Sequence, residues 1–381
     1  MNQLYALLHG GVLYVGVFLV VLTVLVFVHE LGHYLIARYN GVKIEVFSIG
    51  FGPELFGWWD RSGTRWKFST IPLGGYVKMF GDSDASSGLP VANITRLTPE
   101  EREVSFHYKR LGQRAAIVAG GPFANFAFAI IALALLFMTY GQPFTPAEVG
   151  QVLPGSAAEA GGIQAGDTIV SIDGSGVERF EDVQQVVRLN PNVPMAMVVK
   201  REGEVVNLKV TPSLVEEKDR LGKHQIGQLG IRGGGAKYIQ RDPISAVGRA
   251  VGETWNLSAT TLQAMWQMII GTRGSDELGG PLRIAQLSGE VAQGGLVPLL
   301  WFMAVLSVNL GLINLFPVPV LDGGHLLFYA AEAVRGRPLG QRAQEYGFRV
   351  GLALVLTLMV FATWNDLVHT GIVDIVKRFV T

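Results

Sequence analysis

The sequence contains no cysteine, which excludes disulfides, thiolate zinc sites and cysteine nucleophiles. It is also poor in charge: Asp, Glu, Lys and Arg make up 16% of its 381 residues, against about 25% in an average soluble chain. The 31 basic and 31 acidic side chains cancel, so no net field attracts nucleic acid, and we expect no nucleic-acid partner. Any metal must therefore bind to His, Asp or Glu, and the chain has only seven histidines.

Long uncharged apolar stretches account for the low charge. No charged residue occurs from Met1 to Val28, and three similar stretches follow. A signal peptide fits the first stretch poorly, because a basic start and a cleavage site are missing. The stretches approach the length of about 20 residues that crosses a bilayer. They predict a multi-pass α-helical membrane protein with four transmembrane helices, centred on 11–28, 123–138, 291–321 and 350–365.

A fifth stretch, 244–270, is ambiguous. Its uncharged part contains Asn256, Thr261 and Gln267 among other polar residues, which are costly when they face lipid. An interfacial or partly buried amphipathic helix is therefore the favoured interpretation, and a fifth span is the alternative.

The basic residues predict the orientation of the spans. Eleven Lys and Arg lie between the first and second spans, and three lie between the third and fourth, whereas the N-terminal flank has none. Because basic loops stay in the cytoplasm, both termini and the segment after the second span are predicted outside. Lys377 and Arg378 argue weakly against this orientation.

The first span ends in the motif His29-Glu30-Leu31-Gly32-His33. Residues four apart share one face of a helix, so both imidazoles can bind one zinc ion while Glu30 acts on the attacking water. Two histidines that merely cap a span at the interface are the alternative. Ionisable residues at membrane depth are functional candidates by default, which favours a metal site.

Catalytic zinc usually has three protein ligands, and Asp322 is the best candidate for the third. It follows the third span and precedes Gly323 and Gly324, which permit close approach of a neighbouring helix. A turn aspartate is the alternative. With four spans, Asp322 lies at the same membrane depth as the two histidines. A fifth span would place it about 30 Å away.

These motifs together resemble the site-2 protease family of intramembrane zinc metalloproteases, and within it the bacterial regulator-of-sigma-E proteases. Besides the His-Glu motif, the similarity is carried in order by Ser48–Pro53, Ile71–Lys78, Gly121–Phe126 and Asn309–His325. The resemblance implies Zn²⁺ on His29, His33 and Asp322, with Glu30 as catalytic base. It also implies that Asn309 and Asn314 contact the substrate. Helix–helix hydrogen bonding is the alternative for these asparagines, and His325 is expected to have a structural or outer-shell role.

Two further segments resemble known parts of that family. The segment 42–79 alternates between apolar runs and glycines, and it resembles a membrane-reentrant β-segment whose edge receives substrate as a strand. The segment 146–212 resembles a PDZ domain, which either captures a peptide or only limits access. A second PDZ domain, expected in the enterobacterial form, is absent, because 215–241 is too short and glycine-rich.

The fold class is therefore a four-helix membrane protein with a reentrant β-segment and one extramembrane PDZ-like α+β domain. Eight segments are predicted in chain order. They are the first transmembrane helix with the zinc motif (1–40), a cytoplasmic-side loop with the β-segment (41–113), the second transmembrane helix (114–140), the periplasmic PDZ-like domain (141–215), a linker with an amphipathic helix (216–290), the third transmembrane helix with the third zinc ligand (291–325), a cytoplasmic turn (326–347), and the fourth transmembrane helix with the tail (348–381).

The predicted function is a zinc endopeptidase of the bacterial inner membrane with its active site toward the cytoplasm. Its partners would be the lipid bilayer and a single-span membrane protein, which by resemblance is an anti-sigma factor or a remnant signal peptide. The alternatives are a catalytically inactive membrane-tethered PDZ scaffold and a metal-handling membrane protein. An inactive scaffold is expected to lack part of the motif, whereas His29, Glu30, His33 and Asp322 are all present.

Overall fold

The structure is a computed structural model that describes residues 2–81, 97–219, 222–235, 237–271 and 279–369. The chain divides into two compact units. The first, here called the helical unit, comprises Met1–Leu135, Val247–Gln263 and Ser275–Thr381. The second, the α/β unit, comprises Leu136–Ala246 and Ala264–Gly274. The predicted C-terminal tail beyond residue 369 lies outside the described residues.

Four helices in the described part of the chain are long and apolar enough to cross a membrane. They coincide with the four stretches predicted from the sequence. Mean hydropathy in their most apolar windows runs from 1.7 to 2.3, because almost no charge interrupts them. These helices are α1 (Asn2–Tyr39), α3 (Leu111–Thr139), α8 (Leu296–Leu315) and α10 (Gln341–His369).

The third spanning helix is shorter than the predicted segment 291–325. It ends at Leu315, and a separate helix, α9 (Asp322–Arg335), begins at the proposed metal ligand. Pro317 and Pro319 lie in the break, where their missing N–H groups and fixed φ cannot continue a helix. Asp322 is therefore the first residue of α9 rather than the last part of a span. The predicted turn 326–347 is likewise mostly helical, because α9 continues to Arg335 and α10 begins at Gln341.

Two long strands follow α1 in the predicted β-segment. They are β1 (Ile44–Trp59) and β2 (Arg65–Met79). Each strand doubles back, because residues 44–49 pair with 75–79 and also with 65–68, while 56–59 pair with 65–68. The sheet thus has four segments in the order 56–59, 65–68, 44–49 and 75–79. The segment 75–79 forms one edge.

A network of polar contacts connects this sheet to α1. The Asp60 carboxylate, in the turn between the strands, accepts hydrogen bonds from Tyr34 Oη of α1 and from Trp66 Nε1 of β2, both at 3.0 Å. Burial opposes ionisation of Asp60, but hydrogen bonds from Ser62, Trp66 and Thr64 outweigh it and lower the pKa of this carboxyl. Since Tyr34 follows His33 directly, this contact fixes the sheet next to the His-Glu motif.

The α/β unit contains a four-stranded sheet in the order β6-β5-β7-β8 and several two-stranded pairs. Its core is apolar and includes Val149, Ile169, Met197 and Val199, each at most 1% exposed. The fully buried Asp167 accepts two hydrogen bonds of 2.8 Å from Arg201, which lower the pKa of its carboxyl. The helices and strands of this unit, in chain order, are β3 (Gln142–Phe144), β4 (Val149–Val152), α4 (Ala157–Ala160), β5 (Thr168–Ile172), β6 (Ser175–Gly176), α5 (Phe180–Leu189), β7 (Met195–Arg201), β8 (Glu204–Val210), β9 (Ser213–Asp219), β10 (Gly222–Gln228), β11 (Ile231–Gly233) and β12 (Lys237–Ile239).

The ambiguous stretch 244–270 forms one helix, α6 (Pro243–Ile269), capped by Asp242. It is not among the four helices of the described residues that are apolar enough to span a membrane. Large apolar side chains recur along it at helical spacing and are exposed, among them Val251, Trp255 and Trp266. This pattern agrees with the amphipathic interpretation. The remaining described helices are α2 (Pro99–Val104) and α7 (Pro281–Gln293).

Candidate metal centre

Two histidines of α1 provide the first half of the site. His29 and His33 lie one helical turn apart, and each is 9% exposed. Their Nε2 atoms are 3.2 Å from each other. The i, i+4 spacing therefore does what the motif predicts and directs two imidazole nitrogens at one point.

Asp322 completes the group from a different helix. Its Oδ2 lies 3.2 Å from Nε2 of His29 and 3.5 Å from Nε2 of His33. Within the described residues, these three side chains form the one group of His, Asp and Glu that could hold a metal ion, with ligand atoms inside 4.8 Å. The proximity also agrees with four spans, since a fifth would have separated Asp322 from the histidines by about 30 Å.

The backbone at the start of α9 explains how Asp322 reaches the histidines. A side-chain carbon at Gly323 would collide with the carbonyl oxygens of Leu315 and Phe316, and one at Gly324 would collide with that of Val318. Only glycine permits this fold-back of α9 onto the end of α8. The two glycines after Asp322 thus have the close-approach role that the sequence predicted.

The chemistry of the three groups fits zinc. Asp322 Oδ2 is buried and has no hydrogen-bond partner of its own in the structure, although two ring nitrogens face it. A buried carboxylate oxygen is costly unless a cation or donor satisfies it. Two imidazoles, one carboxylate and an open fourth position are the ligand set of a catalytic zinc site.

Glycines of α3 form the floor of the site. A side-chain carbon at Gly121 would overlap His33 Nε2 and lie 2.8 Å from His29 Cε1. At Gly120, such a carbon would lie 2.8 Å from the carbonyl oxygen of Gly32 on α1. Small residues therefore let α1 and α3 touch at the level of the histidines.

We expect Gly121→Ala to reduce zinc affinity by about tenfold or more, the range seen when support of a ligand is lost. In a helix interior the substitution would otherwise be stabilising by about 1 kcal/mol, so any loss must come from the clash with His33. Zinc competition with a chelator measures it. Gly112→Ala is the matched control, because it changes the same helix where no atom lies within 4 Å. Equal zinc affinity of Gly121→Ala and wild type would contradict this account of the floor.

Glu30 lies between the histidines in sequence and faces the sheet. Its carboxylate accepts a hydrogen bond from the backbone N–H of Val77, and a side-chain carbon at Gly75 would lie 3.3 Å from its Cγ. Both residues belong to the 75–79 edge of the sheet. Glu30 is thus placed next to the ligand group and next to an edge strand at the same time.

The comparisons with known proteins agree with this geometry. Residues 17–358 match the model of peptidase family M50. The chain belongs to this family. M50 proteins are membrane metalloproteases, and a zinc-dependent membrane protease is accordingly what the sequence, the four apolar helices and the family together establish.

Relatives within family M50 are similar along almost the whole chain. A Rhizobium meliloti protein named for zinc metalloprotease activity is 48% identical over 355 residues, covering 92% of this chain and 95% of its own. One of Agrobacterium fabrum with the same kind of name is 47% identical over 359 residues, with 93% and 95% covered. Metalloprotease MmpA of Caulobacter vibrioides is 40% identical over 373 residues, with 92% and 94% covered.

Two solved structures are similar to a small part of the chain. The PDZ domain of an SdrC-like protein from Listeria innocua is 20% identical, covers 23% of this chain and 92% of its own, and has a TM-score of 0.19. That of Listeria monocytogenes is 19% identical, with 24% and 88% covered and a TM-score of 0.19.

The other predicted site residues of this M50 protein lie outside the metal-binding group of the described residues. Asn309 and Asn314 are half-buried on α8, and Asn309 Oδ1 accepts a hydrogen bond of 3.0 Å from Thr261 of α6. His325 lies one turn after Asp322 on α9 and contacts the Phe328 ring edge-on. It does not join the metal-binding group of the described residues.

Several site residues of the M50 chain received no role from the sequence. Gly75, Gly121 and Asn125 fall inside segments that carried the resemblance, but nothing local showed what they touch. The exception is Asn125, which is a polar residue in an uncharged apolar helix. Such a residue is a functional candidate in a membrane protein, and this signal could have singled it out.

Proposed function

We propose that the protein is an intramembrane endopeptidase that hydrolyses a peptide bond within or near the transmembrane segment of a single-span membrane protein. The observation that carries the proposal is the convergence of His29, His33 and Asp322 beside Glu30 at the end of an apolar helix. The group combines a zinc ligand set with a carboxylate that is free to act as a base.

Zn²⁺ held by His29, His33 and Asp322 would polarise the scissile carbonyl and lower the pKa of the attacking water. Glu30 accepts the proton of that water and transfers it to the leaving amine. Family M50 membership and the names of the relatives support zinc as the metal.

The edge of the sheet would bind the substrate in an extended conformation. A transmembrane helix hides its amide groups in internal hydrogen bonds, so the scissile bond must be unwound before water can attack it. The 75–79 edge offers backbone groups that can pair with an unwound segment as an added strand. Because Gly75 and Val77 adjoin Glu30, a strand added there passes the base. We propose that this sheet is the membrane-reentrant segment and that Asn309 and Asn314 contact the substrate.

The remaining parts of the proposal concern topology and selection. The basic residues support an inner-membrane protein with its active site toward the cytoplasm and both termini outside. The α/β unit would then be periplasmic, where it acts as a PDZ-like peptide binder or as a gate. By resemblance, the substrate class is an anti-sigma factor or a remnant signal peptide.

A cleavage assay with designed substrates tests the proposal. The purified protein is incubated in lipid vesicles with a single-span substrate, and mass spectrometry locates the cut. We expect cuts in or beside the apolar segment. Replacing two leucines there by glycine, each lowering helix stability by about 1 kcal/mol, should speed cleavage about tenfold.

The control substrate carries the same two glycines outside the apolar segment, where unwinding is not required. Cleavage restricted to water-soluble unfolded polypeptides, or a rate that ignores helix stability, would contradict the intramembrane proposal.

A further inference from the structure

The second ring nitrogen of each metal-facing histidine lies against α3. His33 Nδ1 is 2.9 Å from the carbonyl oxygen of Ile117. A carbonyl can only accept, so His33 Nδ1 carries the hydrogen and Nε2 keeps its lone pair free for a metal. The tautomer of His33 is thus set by the backbone.

His29 has a side chain in the corresponding place. Its Nδ1 lies 3.1 Å from Nδ2 of Asn125, and the Asn125 side chain is fully buried. The two ends of an amide have nearly the same shape, so the hydrogen bonds decide whether Nδ2 or Oδ1 faces the ring. If Nδ2 faced Nδ1, the ring hydrogen would be on Nε2, and that tautomer could not bind a metal through Nε2.

The other end of the Asn125 amide shows the alternative. Its Oδ1 is buried and has no hydrogen-bond partner, an arrangement that is unfavourable for a buried acceptor. Turning the amide by 180° occupies the same space and brings Oδ1 to His29 Nδ1, where it accepts a hydrogen bond. The turned amide satisfies the orphaned oxygen and frees His29 Nε2 for the metal.

We propose that Asn125 is a positioning residue that sets the metal-binding tautomer of His29 by accepting a hydrogen bond from its Nδ1. The inference rests on the proposed metal site and adds a residue to it. The Asn125 amide oxygen thus has the same role toward His29 as the Ile117 carbonyl has toward His33.

Helix α8 contacts the backbone and Cβ of Asn125. Its backbone carbonyl accepts a hydrogen bond of 2.9 Å from Ser307 Oγ on α8. A side-chain carbon at Gly311 of the same helix would lie 3.3 Å from Asn125 Cβ. These contacts with α8 fix the position of the backbone and Cβ of Asn125.

The test measures zinc affinity of the full chain in detergent by competition with a chelator. Asn125→Leu keeps the volume but offers no acceptor, and it should weaken zinc binding about 10- to 100-fold, as loss of an outer-shell partner does. Asn125→Asp can only accept, so it should bind zinc at least as tightly as wild type. The matched control, Ser288→Ala, removes an equally buried hydroxyl that donates to Ile284 of its own helix α7, and it should bind zinc like wild type.

Two further measurements separate positioning from packing. Co²⁺ substitution should give a visible spectrum that is unchanged in Asn125→Asp and altered in Asn125→Leu. Thermal unfolding with the metal chelated should show Asn125→Asp less stable than wild type, because a carboxylate is costly to bury. A structural role would instead make affinity follow stability across the variants.

The inference is overturned if Asn125→Leu binds zinc as tightly as wild type. It is equally overturned if Asn125→Asp is as weak as Asn125→Leu, or if Ser288→Ala loses as much affinity as either. Wild type without zinc binding would overturn the proposed function itself, a result distinct from those three.

Discussion

Glu30→Gln should leave the protein folded and zinc-loaded but without peptidase activity. The amide is nearly isosteric with the carboxylate, and Glu30 is outside the group formed by His29, His33 and Asp322. Gln cannot accept a proton from water or pass one to the leaving amine. Loss of a general base costs on the order of 10²–10⁴-fold in rate, so cleavage of a single-span substrate should fall below a hundredth of wild type.

A second Glu→Gln substitution controls for charge and folding. Glu45 lies on β1 in the same unit and pairs with Lys78 at 3.0 Å, with both side chains 30% exposed. Such a partly exposed ion pair contributes little to stability, so Glu45→Gln should remain folded and cleave at nearly the wild-type rate. Turnover by Glu30→Gln above about a tenth of wild type would contradict the role of Glu30 as the base. The rate loss would then be less than about tenfold, which is smaller than even the weaker general-base effects.

The same experiment separates the proposed protease from its alternatives. An inactive PDZ scaffold predicts no difference between wild type and Glu30→Gln, because neither cleaves. A metal-handling protein predicts bound metal and no cleavage in both. Only a peptidase predicts equal metal content and unequal cleavage.

The spans and the ligand set could be predicted because each depends on local patterns. Uncharged stretches of sufficient length define the four helices, and the spacing of His29 and His33 fixes their shared face. Asp322 was predicted as the third ligand from the glycines that follow it and from the topology. With four spans, the end of the third span lies at the same membrane depth as the two histidines. In the structure, Oδ2 of Asp322 lies 3.2 Å from Nε2 of His29.

The rest depends on contacts between distant segments, which local patterns do not encode. Asp322 was predicted within the third span, whereas the helix α8 ends at Leu315 and a new helix begins at Asp322. Glycine punctuation in 42–79 predicted strands without showing that two long strands double back on each other. Gly121 and Asn125 acquire roles only because α3 packs against the histidines.

Asp322→Ala should abolish stable zinc binding. Asp322 supplies the one oxygen ligand of the group and comes from a different helix than the histidines. Without it, two imidazoles remain, whereas protein zinc sites generally use three or four ligands. The loss should exceed the 10- to 100-fold effect of an outer-shell change, so the variant should lose its zinc on washing with a mild chelator.

The measurement that tests the central claim most directly is the zinc content of detergent-purified protein, wild type beside Asp322→Ala. Asp242→Ala is the control, because Asp242 caps α6 through Ser245 and is outside the metal-binding group. The account predicts about one zinc per chain in wild type and in Asp242→Ala, and little in Asp322→Ala. Full zinc in Asp322→Ala, or none in wild type, would contradict a site built jointly by α1 and α9.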